Sequence, residues 1–210
     1  MTNRHSAICL LLLLWTPVAV FGQSGTVPLD GVDARADSSE FARQLGHADP
    51  FVRQGAAEAL ARLVAVEQLK LVQGYQLQEK NKNVCLALDW TLYRMGKQEA
   101  LFRIVRELDS SRHEQSVGYL SQLDGPALLH PFFEQADNPA RITVGLLEAL
   151  AQLGDRESLE LIKPLRDSFV AGVAEAAEGA TDKIESRLAQ TESPVSNRPR
   201  TVGKPTQTSP

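Results

Sequence analysis

The apolar residues of this chain follow a pattern that recurs. Val52, Ala56, Ala59, Leu60 and Leu63 lie at offsets of 0, 4, 7, 8 and 11, which puts all five on one face of an α-helix. The same offsets return at Val84, Leu88, Thr91, Leu92, Met95 and at Ile142, Leu146, Ala149, Leu150, Leu153. A weaker copy runs through Ser116, Tyr119, Leu120 and Leu123, with Arg112 in place of the first apolar residue. Leu60, Leu92, Leu120 and Leu150 therefore mark four helices spaced 32, 28 and 30 residues apart, which is a repeat.

A second apolar helix precedes each of these. Its markers are Phe41 and Leu45, then Leu69 and Val72, then Leu101, Ile104 and Val105, then Leu128, Leu129 and Phe132. A fifth is marked by Leu159, Leu161, Ile162 and Leu165. Breakers fall between the helices at Asp49-Pro50, Asn81-Lys82-Asn83, Asp109-Ser110-Ser111, Gly125-Pro126, Asn138-Pro139 and Gly154-Asp155. Gly46, Gly96, Gly125 and Gly154 sit at helix ends, where left-handed caps call for glycine. Helix pairs of this length are apolar on both sides and cannot stand alone, whereas stacking them buries a continuous core. The expectation is an all-α fold, with a plain helical bundle as the alternative architecture.

The string Asp49-Pro50-Phe51-Val52-Arg53, running into Ala56-Ala57-Glu58-Ala59-Leu60, resembles the second helix of HEAT-like repeats of the phycobilisome-lyase type. Leu128-Leu129-His130-Pro131 and Leu161-Ile162-Lys163-Pro164 resemble the first helix of that family, which carries a proline. The resemblance spans residues 38–188. It implies a right-handed α-α superhelix, a short α-solenoid of about five HEAT-like helix pairs. It also implies structural roles for Asp49, which starts the second helix, for Arg53, which ties neighbouring repeats, and for Pro131 and Pro164. Cys85 and Thr143 stand at the arginine position of the second and fourth repeats, so an arginine ladder is incomplete. Asp167-Ser168-Phe169-Val170 matches Asp49-Pro50-Phe51-Val52, but Pro164 lies close to it and leaves the register of the last repeat open. An alanine-rich capping helix is expected through residues 171–188.

The ends differ from the body. Arg4, an apolar run over residues 7–21 and the small residues Val20 and Gly22 read as a signal peptide over 1–22. Residues 23–37 read as a flexible linker, and the Pro/Ser/Thr-rich residues 189–210 as a disordered tail. Removing the leader leaves 21 basic against 26 acidic residues, which argues against nucleic acid, and leaves no polybasic cluster for a membrane surface. Neither stable membrane insertion nor a disulfide framework is expected, because Cys85 is then the only cysteine.

No catalytic constellation, metal set or cofactor motif stands out. His47, His113 and His130 fall at different phases of different repeats, and His113-Glu114 reads as a solvated pair before a metal site. The reading is an exported, non-catalytic interaction scaffold of the cell envelope, most simply periplasmic, holding a protein partner. The alternatives are a lyase-type or other HEAT-fold enzyme, or an accessory subunit whose tail makes contacts through Arg198, Arg200 and Lys204. Aligning the repeats gives candidate partner-binding residues on one side of the second helices: Gln54 and Glu58, Leu86 and Trp90, Glu114, then Val144 and Glu148. Leu86 and Trp90 would centre an exposed apolar patch. The competing reading is that Trp90 leans under an adjacent repeat and packs. The intact mass of the native protein is expected to begin at Gln23, and a full-length cytoplasmic product would overturn the export reading.

Overall fold

The computed structural model describes residues 32–134 and 138–192, with backbone alone at 32–36 and 192. Among these residues there is no strand. The helices are α1 (Val32–Gln44), α2 (Pro50–Leu63), α3 (Leu69–Gln78), α4 (Lys82–Arg94), α5 (Ala100–Arg106), α6 (His113–Leu120), α7 (His130–Phe133), α8 (Ala140–Leu153), α9 (Arg156–Ile162) and α10 (Val173–Glu192). Short 3-10 turns precede α3 and α7 and follow α5 and α9. None of the described helices is long and apolar enough to cross a membrane.

The helix starts follow from local chemistry. Asp49 Oδ1 accepts the Phe51 N–H at 2.9 Å, and Pro50, which has no N–H to lose, opens α2. Asn81 Oδ1 accepts from Asn83 and Val84 in the same way, and Asp155 forms a capping box with Ser158. Two expected boundaries move. Helix α1 begins at Val32, inside the stretch read as linker, because Val32–Asp37 carries two alanines and an aspartate, Asp33, in the first turn. Helix α10 runs past Leu188 to Glu192 and takes in the first four residues of the stretch read as tail. The signal-peptide segment and residues 193–210 lie outside the described residues.

Pro131 is the second residue of the four-residue α7, and Pro164 is the second residue of the 3-10 turn Lys163–Asp167. Neither lies inside a continuous helix, since proline cannot supply the i→i−4 hydrogen bond. Of the four glycines expected as left-handed caps, only Gly96 has a positive φ, at 96°. Gly154 is needed for space instead, because a Cβ there would come within 2.6 Å of Ile184 Cδ1 and of the Leu150 carbonyl. The left-handed cap of α2 is Val64, at φ 48°.

The even-numbered helices touch in chain order: α2 lies along α4, α4 meets α6, α6 packs on α8, and α8 lies along α10. Helices α1, α3, α5 and α9 pack on α2, α4, α6 and α10 respectively. One core runs through all of them, including Leu60, Leu88, Ile104, Leu120, Leu146, Leu150, Ile162 and Ile184. Burying each such side chain stabilises the fold by roughly 1.5–3 kcal/mol.

Two arginines fasten helix ends. Arg53 Nε and Nη2 donate to the two oxygens of Glu79 at 2.7 and 3.0 Å, and Nη1 donates to the carbonyls of His47 and Ala48. This joins the start of α2 to the end of α3. Arg187 of α10 donates to the carbonyls of Ala151, Gln152 and Gly154, orphan acceptors at the end of α8. Hydrogen bonds from Arg53 hold the Glu79 carboxyl below its ordinary range against its partial burial. Its contribution is therefore complete above the ordinary glutamate pKa of about 4.3 and is lost as pH falls through the lower folded value. Arg53→Met is expected to cost about 2–3 kcal/mol at neutral pH. The deficit should shrink in acid, as followed by urea unfolding; a deficit constant from neutral pH into acid would refute the assignment.

Candidate functional site

Helix α4 is the best-covered element of the chain, with every residue from Leu86 to Tyr93 buried. Leu86 is 1% exposed and Trp90 4%, so the exposed apolar patch expected there does not form. The cause is a residue of the next second helix. Tyr119 of α6 stacks on the Trp90 indole with centroids 5.4 Å apart and planes 1° apart. Tyr93 stacks on the indole at 5.7 Å, and the Arg94 guanidinium lies 5.6 Å from its ring centroid. Trp90 leans under its neighbours and packs.

Tyr119 is held in place from the far side of α4. Its hydroxyl donates to Glu58 Oε1 of α2 at 2.7 Å and accepts from Gln115 Nε2 at 2.9 Å. Gln54 Nε2 donates to the same Glu58 oxygen at 3.0 Å. Burial first, and then the Glu58 carboxylate, push the Tyr119 phenol far above its ordinary pKa and keep it a neutral donor. Helices α2 and α6 thus meet over α4 and bound a cleft of about 310 Å³. Its walls are Glu58 and Arg62 on one side and Gln115, Gly118, Tyr119 and Gln122 on the other, over the edge of Trp90.

Three features of this cleft set it apart. Arg62 follows Glu58 by four residues, the favoured ion-pair spacing on a helix. Yet Glu58 is turned to Tyr119 and Gln54, and Arg62 has no ion pair or hydrogen bond among the described residues. Gly118 sits inside α6, where a glycine costs roughly 0.5–1 kcal/mol relative to alanine. No packing demands it, because a Cβ there meets nothing within 4 Å. The Trp90 indole N–H has no acceptor among the described residues, while Ser116 Oγ is the one fully buried side-chain polar atom among them without a partner. Trp90 itself lines the cleft while only 4% exposed.

The other candidate residues fall elsewhere. Val144 and Glu148 line a separate groove of about 350 Å³ between α8 and α10, with Glu175, Gly179 and Lys183 opposite. His113 Nε2 lies 2.7 Å from Glu148 Oε2 and His113 Nδ1 lies 2.7 Å from the Leu108 carbonyl, so this histidine braces α6 against α8. Glu114 is exposed beside it and lines neither groove. Among the described residues no group of three or more His, Cys, Asp or Glu is placed to hold a metal ion. His130 Nε2 lies 3.2 Å from Ser158 Oγ, which donates to Asp155, but Ser158 is fully buried at the start of α9, where the set serves as a cap. Cys85 is free, its thiol donates to the Glu79 carbonyl at 3.3 Å, and burial pushes its pKa up, away from a reactive thiolate.

Tyr119, Arg62, Gly118, Gln115 and Gln122 were not among the candidates read from sequence. Tyr119 had a visible signal, since the equivalent residues are Ala59, Thr91 and Ala149. Compared with models of known protein families and with curated proteins, the chain matches none. Trp90→Ala is expected to cost roughly 3–5 kcal/mol, as for a core aromatic. Tyr119→Phe, which keeps the stack and drops the hydroxyl, is expected to cost about 1.5–3 kcal/mol. Paired urea titrations check the order; a Trp90→Ala loss below that of Tyr119→Phe would contradict the packing described.

Proposed function

We propose that this chain is an exported scaffold of HEAT-like helix pairs that holds a protein partner on the side formed by α2, α4, α6 and α8. The observation that carries the reading is the succession of second helices in contact, with α1, α3 and α5 backing α2, α4 and α6. Such a row offers a continuous surface several helices wide, which is the use stacked-helix proteins make of it. The cleft over Trp90 and the groove beside Glu148 lie on that row, one between α2 and α6 and the other between α8 and α10. Both are lined by ionic side chains of both signs together with glycine, a composition suited to polar recognition of a partner.

The export part of the reading rests on the charge, apolar run and small-residue order of the first 22 residues, and the envelope location follows from it. The histidines serve as braces and caps, and the single thiol of the body is not activated. These placements favour a holding role over a reaction.

A photo-crosslinking residue placed at exposed positions tests the reading in the native cell. Glu114 and Glu148 on the second helices should give a discrete adduct with one partner. Leu77 and Phe102, exposed on α3 and α5, should not. Adducts that arise equally from both sets, or only from α3 and α5, would move the binding surface or remove it.

A further inference from the structure

One position of the repeat ties helices together, and its occupant changes along the chain. Aligned on Val52, Val84, Arg112 and Ile142, the residues that follow are Arg53, Cys85, His113 and Thr143. Arg53 donates back to the carbonyls of His47 and Ala48 and across to the Glu79 carboxylate. Cys85 donates back to the Glu79 carbonyl, six residues earlier. His113 has the two-sided surroundings of Arg53. Its Nδ1 lies 2.7 Å from the Leu108 carbonyl, five residues earlier, and its Nε2 lies 2.7 Å from Glu148 Oε2. A carbonyl and a carboxylate only accept, and a neutral imidazole has one N–H to give. The bridge is therefore complete only with one proton more than a neutral imidazole and a carboxylate hold between them. Gly145 makes the seat for this ring on α8, because a Cβ there would lie 2.9 Å from His113 Cε1 and 2.6 Å from Leu108 Cδ2.

Glu148 is the one charged group that reaches the ring among the described residues. Glu107, in the same 3-10 turn as Leu108, accepts from Arg112 Nε at 2.7 Å, and Asp89 of α4 is held by Arg103 of α5. Lys82 of α4, Arg106 of α5, Asp109, Glu114 of α6 and Arg141 of α8 make no ion pair or hydrogen bond with the ring. Glu175 and Lys183 of α10 stand across the groove that Glu148 lines and do not bond to it either.

We propose that His113 is a pH-sensitive form of the Arg53 tie, locking α6 to α8 in acid and releasing Glu148 toward the α8–α10 groove as the bridging proton leaves. Arginine keeps its charge throughout. Imidazole changes charge between about pH 5 and 8. A proton held by the bridge in the folded protein favours folding, so the contribution is present in acid and is lost as pH rises through the imidazole range. After that loss a ring lone pair faces an acceptor. The Leu108 carbonyl is backbone and stays, whereas the Glu148 side chain is 47% exposed and is the partner free to turn. The groove then gains an unengaged carboxylate on the wall facing Lys183. The device works whether or not a partner occupies the groove.

The test is a double-mutant cycle in the full chain, with His113→Gln, Glu148→Gln and the pair together, read by urea unfolding. It is run at about pH 5.5 and about pH 8.5, either side of the ordinary histidine value of about 6.5 and above the glutamate range. Differences around the cycle cancel the titration of His47 and His130. At the lower pH the two residues should couple by about 3-fold or more in the unfolding constant, as a partly exposed ion pair does. At the higher pH the coupling should vanish or change sign. The matching cycle with Arg53→Gln and Glu79→Gln should keep its coupling at both. A His113–Glu148 coupling of one size at both, one that grows with pH, or none in acid would overturn the proposal. The ring nitrogen resonances of His113, assigned by their loss in His113→Gln, give a second reading. Both nitrogens should carry a proton at the lower pH and Nδ1 alone at the higher. A proton left on Nε2 there would keep Glu148 in place and overturn its release.

Discussion

A helix buried on every side must find partners for all its polar groups inside the protein, and α4 is that helix. Thr91 Oγ1 lies 2.8 Å from the Ala57 carbonyl of α2 and 2.7 Å from its own Ala87 carbonyl, sharing one proton between them. Asp89 accepts from Gln76 of α3 at 3.1 Å and from Arg103 of α5 at 2.7 Å. Burial pushes the Asp89 carboxyl upward, and these two donors oppose it. With Tyr119 closing the remaining side, α4 binds α2, α3, α5 and α6 into one unit. A change at any of these contacts is felt on all of them.

The repeat was legible because apolar offsets on the second helices report burial against two neighbours at once. Helices occur at Leu60, Leu92, Leu120 and Leu150, where the offsets placed them, and α10 occurs in the alanine-rich segment expected as a capping helix. The first helices were less legible toward the C-terminus, where Pro131 and Pro164 cut them into short turns. The site was legible only in part. Glu58 and Trp90 do share a cleft, but aligning one helix at a time treats a position as exposed when its equivalents are polar. That rule fails when a neighbouring helix carries a large residue at a normally small position, as Tyr119 does. The Glu58–Tyr119 contact joins residues 61 apart, two repeats away, and no single-helix pattern contains it.

The cleft owes its character to a diversion of charge. Glu58 and Arg62 would ordinarily neutralise each other, and the protein would present a mixed, weakly polar rim. By drawing Glu58 across to Tyr119, the fold leaves Arg62 without an ion pair on the wall of the cleft.

The same bridge also sets an order in time. Contacts between successive helices close over some 30 residues, whereas the hydroxyl of Tyr119 must travel across α4 to reach α2, and loop-closure entropy makes that step the more demanding. While a chain is still being made, α2 and α4 can associate as soon as both have emerged, but the face of the Trp90 indole that Tyr119 covers stays open until α6 arrives. For that interval the nascent chain shows water an aromatic surface that the finished protein conceals. The middle of the molecule, rather than either end, is then what a chaperone would find to hold.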